Sequence, residues 1–254
     1  MARLVAAAAL LLTGACATTP TENFAPPNGA EALPDVPESA WMTIGWIATD
    51  GIDLMSPDAT FIRASIESWS LAQKHGTLDG GYPGFAHAMR DAIYSPASFT
   101  DADNEVWVGS GYYKLLSITD RADGVTEAWY CSYTNLVGNT QTETGRSDRG
   151  TYSIGHGRPN GMSWAWTYRR GPDEDGTATS PPGNQKGPNR APAADVFGSW
   201  TVQEVIPLAE RTPEHIEACR GQAPGTPDGW PPETVYSDDP PIAARPDPGW
   251  PSTN

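Results

Sequence analysis

Hydrophobic positions along the chain follow two periods, and the change between them divides it. From Ser56 to Gly76 the period is that of a helix: Phe61, Ile62, Ser65, Ile66, Trp69 and Ala72 fall on one face at three- and four-residue spacing. Ser56-Pro57-Asp58 supplies the start, with Ser as N-cap, Pro at the first helical position and an acid in the first turn. Gly76 supplies the stop. A shorter helix is expected from near Pro83, with Phe85, Ala86, Met89 and Ile93 as its apolar side.

From Glu105 onward the period becomes that of a strand. Val106 to Ile118 reads as one strand, kinked at Gly109-Ser110-Gly111, where glycine permits a bulge. Asp123-Gly124 marks a tight turn into a strand from about Thr126 to Val137, which carries Trp129, Cys131 and Tyr133 on one face. A short strand follows over Thr151 to His156, and Asn160-Gly161 makes a hairpin turn. Met162 to Arg169 then alternates without a fault, placing Met162, Trp164, Trp166 and Tyr168 on one side. Residues 171–192 read as a long loop without periodic burial. A last strand, Val196 to Ile206, turns Trp200, Val202 and Ile206 inward, and Thr212-Pro213-Glu214 caps a short helix bearing Cys219.

Helices first and antiparallel strands afterwards define an α+β domain, expected over residues 40–221. This element order, with its glycine bend, resembles the NTF2-like cone, in which a long amphipathic helix lies in the concavity of a bent sheet. A β-sandwich with a helical cap is the alternative.

The N-terminus changes the picture of where the domain sits. Arg3, an apolar stretch from Leu4 to Leu12, and Thr13-Gly14-Ala15 before Cys16 have the form of a secretory signal. The stretch is too short to span a bilayer, which takes about 20 apolar residues. A Cys directly behind two small residues resembles the lipobox of bacterial lipoproteins, although Thr13 stands where that family prefers Leu. The resemblance implies cleavage after residue 15, a diacylglyceryl group on Cys16, and attachment to the cell membrane by that lipid. The alternative is an ordinary signal and a secreted protein. Thirteen arginines against three lysines suggest a GC-rich coding sequence, pointing to an actinobacterial or phage-encoded lipoprotein.

Of three cysteines, acylation of Cys16 leaves Cys131 and Cys219 as a pair in an oxidising compartment. Their bridge would close a loop of nearly ninety residues, stabilising the fold by roughly 4 kcal/mol in the chain-entropy account. Two free buried thiols are the other reading.

The 254 residues carry 31 acids and 16 bases, a net charge of −15, and 51 are Gly or Pro. No basic stripe is present for nucleic acid. Residues 16–39 form a Pro-rich acidic spacer, and residues 222–254 an acidic, Pro-rich tail expected to carry little fixed structure. The tail repeats itself once, as DGWPP at 228–232 and PGWPS at 248–252.

Motifs for chemistry are sparse. Ser110 lacks a nucleophile-elbow context. His75, His87, His156 and His215 share no metal-ligand spacing. The run Asp101 to Glu105 departs from a calcium loop at Val106 and Tyr112, and Asp50 and Asp53 read as loop carboxylates. No metal or cofactor is therefore expected. The remaining candidate is aromatic: Trp129, Tyr133, Trp164, Trp166, Tyr168 and Trp200 could line a ligand cavity or simply form core. The expected function is a non-catalytic envelope lipoprotein that binds a protein partner or a small apolar ligand. The alternative is an envelope enzyme with a carboxylate and a tyrosine in a curved-sheet cavity.

Overall fold

The computed structural model describes residues 42–94, 107–140, 152–155, 161–172, 175–206 and 211–252. The signal and lipobox segment, His156, the Asp101–Glu105 run and the Asn160 turn position lie outside these residues.

The fold is α+β, with seven strands in one sheet and three α-helices among the described residues. In chain order the elements are β1 (Thr43–Ala48), α1 (Pro57–His75), α2 (Phe85–Ala88), β2 (Trp107–Asp120), β3 (Thr126–Thr140), β4 (Tyr152–Ile154), β5 (Met162–Arg169), β6 (Thr201–Ile206), α3 (Pro213–Ala218) and β7 (Val235–Ser237). One 3-10 turn over Leu78–Gly80 joins α1 towards α2.

Local signals place most of these boundaries. The Ser56 hydroxyl accepts from the Ala59 N–H, and Gly76 ends α1 in the left-handed conformation, at φ 69°. Gly109 has φ 102°, and a Cβ there would stand 2.3 Å from the Leu136 carbonyl oxygen. The β2–β3 register shifts next to it, between Ser110 and Tyr112, so the glycine kink is a bulge.

Two expectations about the order of elements are corrected. The helices do not come first: β1 precedes α1 and pairs in parallel with β2, making α1 the crossover between parallel strands. The tail is not without structure. β7 pairs with β4, and Trp250 is 1% exposed. Both were missed for one reason. A six-residue strand and a proline-punctuated C-terminal strap, residues 238–252, have too few positions for a period to show, and each is fixed by its neighbours.

β3 is the axis of the sheet. β2 runs along one edge; β5 takes the first half of the other edge and β4 the second, so the sheet forks. β6 continues the β5 branch and β7 the β4 branch. The main core lies between α1 and one sheet face, where Phe61, Ile62 and Ile66 meet Tyr113, Leu115, Tyr130, Trp166, Tyr168 and Val202. On the opposite face, smaller clusters gather around Trp129 and Ala165 and around Cys131, Tyr133, Cys219 and Ala223. Cys131 and Cys219 form a disulfide there, 88 residues apart in sequence, which ties the end of α3 to the middle of β3. Among the described residues, no helix is long and apolar enough to cross a membrane.

Candidate functional site

The six aromatic candidates do not line one cavity. Register decides this: Ala128 stands opposite Trp166, and Trp129 opposite Ala165, so Trp129 and Trp166 project from opposite faces. Trp164, Trp166, Tyr168 and Trp200 belong to the main core with α1. Tyr168 stacks on Trp200 at 5.8 Å, Phe61 packs on Tyr168 at 5.0 Å, and Trp69 meets Trp166 edge-on at 5.9 Å. Trp164 donates its indole N–H to Ser132 Oγ. Trp129 lies on the other face, stacked on the His215 ring at 3.5 Å and donating to Glu127. Tyr133 packs beside the disulfide. The sequence pattern could not separate the two sets, because alternation within a strand says nothing about which face of its neighbour it shares.

The remaining named candidates are dispersed. His75 sits in the last turn of α1 and His87 is exposed on α2. Asp53 accepts from the Met55 N–H within its own turn, and Asp50 is exposed. Ser110 Oγ accepts from the Ala244 N–H and so holds the C-terminal strap rather than a substrate. No group of His, Cys, Asp and Glu suited to a metal ion occurs among the described residues.

The chemically unusual site was absent from the sequence reading. Arg63 and Glu67 lie one helical turn apart on α1, yet they are 0% and 3% exposed. The helix is therefore buried on its polar side as well as its apolar one. The cover comes from β1, the 185–190 loop and the C-terminal strap. Glu67 Oε1 accepts from Trp46 Nε1 at 2.7 Å, and Oε2 accepts from Tyr82 OH at 2.6 Å and from Trp250 Nε1 at 2.8 Å. The three donors come from β1, from the turn before α2 and from the strap. One buried carboxylate thus joins parts of the chain separated by up to 183 residues.

Arg63 completes the arrangement. Its guanidinium donates to the carbonyl oxygens of Gln185, Pro248 and Gly249 at 2.9, 2.9 and 3.1 Å, and lies 4.5 Å above the centre of the Trp250 ring system. Its Nε has no hydrogen-bond partner.

Burial governs the electrostatics. Loss of water raises the Glu67 carboxyl above its ordinary value, against the opposing pull of Arg63 and of its three donors. The same burial lowers Arg63 and pushes Tyr82 well upward. The Tyr82 hydroxyl opposes the rise of Glu67 by donating to it. Tyr82 has one hydroxyl proton and two acceptors in reach, Glu67 Oε2 at 2.6 Å and the Arg190 carbonyl at 2.9 Å.

Tyr82 also reaches outward. It lines a cleft of about 330 Å³ with Leu78, Asp79, Pro83 and His87. The Ser68 hydroxyl accepts from the Tyr82 N–H and fixes the turn against α1. Glu67 itself is enclosed by its donors, so the arrangement fastens segments together rather than presenting a carboxylate to solvent. Only two signals in the sequence could have indicated it: an Arg and a Glu four apart in an amphipathic helix, and a tryptophan in a tail with little else to bury.

No family model, no curated protein and no solved structure matches the chain.

Proposed function

We propose that this chain is an exported lipoprotein, lipidated at Cys16 and held at the cell membrane, whose domain binds a protein partner without catalysing a reaction. The observation that carries the export reading is the Cys131–Cys219 disulfide. Such bonds persist in oxidising compartments, and this one leaves Cys16, behind its apolar segment, as the single cysteine outside the pair. Two acyl chains on a diacylglyceryl group suffice for stable attachment. The acidic spacer and the net charge of −15 suit a domain kept solvated above a surface.

Partner binding is favoured over a small apolar ligand because the sheet aromatics pack on α1 and on one another. An NTF2-like placement of α1 against a bent sheet belongs to the same reading. The bulged β2 and the α1-facing core support it, while the parallel β1 ahead of the helix departs from it.

The test is fractionation. Cys16→Ser is expected to move the protein from the membrane fraction to the soluble fraction or medium. Unchanged membrane partitioning in that variant would refute the anchor.

A further inference from the structure

The tail holds the tripeptide Gly-Trp-Pro twice, and the structure treats the two copies differently. Around Gly229-Trp230-Pro231 the chain makes a local turn: Trp230 N–H donates to the Pro227 carbonyl, and Gly229 has φ 78°. Gly249-Trp250-Pro251 instead lies along other elements. The tripeptide does not choose its own conformation; what surrounds it does.

What surrounds the second copy reads every part of it. Trp250 N–H donates to the Asn189 carbonyl at 2.8 Å, and Asn189 N–H donates back to the Trp250 carbonyl at 3.0 Å. The Asn189 side-chain amide donates to the Pro251 carbonyl at 3.0 Å. The Asp247 carbonyl accepts from Trp46 N–H at 2.7 Å, adding the strap to β1. Gly249 passes so close to the 187–189 backbone that a Cβ would stand 2.3 Å from the Gly187 oxygen. The indole enters a pocket where Glu67 takes its N–H, Arg63 covers its face and Tyr82 packs edge-on at 5.8 Å.

This is the grammar of peptide recognition: backbone pairing for hold, one deep aromatic anchor for specificity. All the reading groups belong to β1, α1, the Tyr82 turn and the 185–190 loop, and none to the strap itself. The strap reaches them from Ser237 through a segment with prolines at 240, 241 and 246 and no helix or strand.

We infer that the groove formed by Trp46, Arg63, Glu67, Tyr82 and Asn189 is a binding site for an extended peptide bearing Gly-Trp-Pro, and that residues 247–251 are its resident, displaceable occupant. The site accepts the same segment supplied in trans once the internal copy is withdrawn. Tryptophan is required for its N–H, and the preceding residue must be glycine. The inference stands independently of export or lipidation.

The experiment uses the full chain carrying Trp250→Asp, which removes the indole anchor and its N–H bond to Glu67 and so loosens the strap. A synthetic peptide of residues 246–252, PDPGWPS, is titrated into it by calorimetry and thermal melting. Saturable binding with a raised Tm is expected. A peptide with Phe for the Trp should bind at least tenfold more weakly, and one with Ala for the Gly should show no saturation. If the variant is unfolded alone, the peptide must restore its near-UV circular dichroism. Absence of binding to a folded variant, failure to restore an unfolded one, or equal binding of the Trp and Phe peptides each overturns the site.

Discussion

The two faces of the sheet are closed by different means. On the α1 face a continuous apolar cluster runs from Trp46 to Trp250, and the cover is held by packing and by the hydrogen bonds that Arg63 and Glu67 each make to it. On the other face the clusters are small: Trp129 with Ala165, and Cys131 with Tyr133, Cys219 and Ala223. A short helix, six residues long and with no buried residue of its own, could not hold itself there by burial. The disulfide does it covalently. Where burial is extensive the chain relies on area; where burial is thin it relies on a bond.

That contrast can be broken by removing each fastening in turn. Replacing Cys131 and Cys219 together by Ser should have the largest effect, about 4.5 kcal/mol for a loop of 88 residues in the chain-entropy account. Urea melts would measure it. Loss of α3 docking, seen as fluorescence change at Trp129 where His215 stacks, should appear before global unfolding. Coincident loss of both faces at one urea concentration would mean that the fastenings are not separate.

Glu67→Ala comes next, at roughly 3 kcal/mol, because it leaves Arg63 buried without its compensating carboxyl and three donors without an acceptor. Hydrogen exchange should show β1 and the strap loosening while α3 stays protected. A cost below 1 kcal/mol would mean that water replaces the carboxyl freely.

A subtler effect sharpens the comparison through pH. The Glu67 carboxyl is raised in the folded protein above its ordinary 4.5, chiefly by burial. Between the unfolded and folded values the folded state therefore holds a proton that the unfolded chain has released. Its stabilising contribution is complete below the unfolded value and is lost as pH rises through the folded one. Glu67→Gln cannot titrate, so the variant's Tm should fall less steeply than that of the wild type over this window. Parallel Tm–pH curves would place the raised carboxyl in doubt.

Arg170→Ala should have the smallest effect. Arg170 bridges Asp58 at the start of α1 and Asp120 at the end of β2, both at 2.7 Å, but its side chain is 36% exposed. A loss of about 1 kcal/mol or less is expected by thermal melting.

Much of the framework was legible because its signals are local. Ser56 and Gly76 bound α1 through capping and a left-handed φ, which need only the neighbouring residues. Met162 to Arg169 alternates strictly and is strand throughout. Cysteine parity led to the Cys131–Cys219 pair. The candidate cavity was not legible, because Trp129 and Trp166 are separated by strand register, a property of two strands together. Nor was the burial of Arg63 and Glu67, which depends on a C-terminal strap 185 and 183 residues away along the chain.

The sequence alone determined the elements that depend on short-range chemistry: helix caps, strand alternation, the glycine bulge and the cysteine pair. Only the tertiary structure decided which face each aromatic joins, that β1 pairs in parallel with β2, and that the acidic tail returns to bury Trp250 over α1. The physical reason lies in distance along the chain. A cap or an alternation is satisfied within one turn or strand, whereas Glu67 gains its acceptor role from donors 15, 21 and 183 residues away.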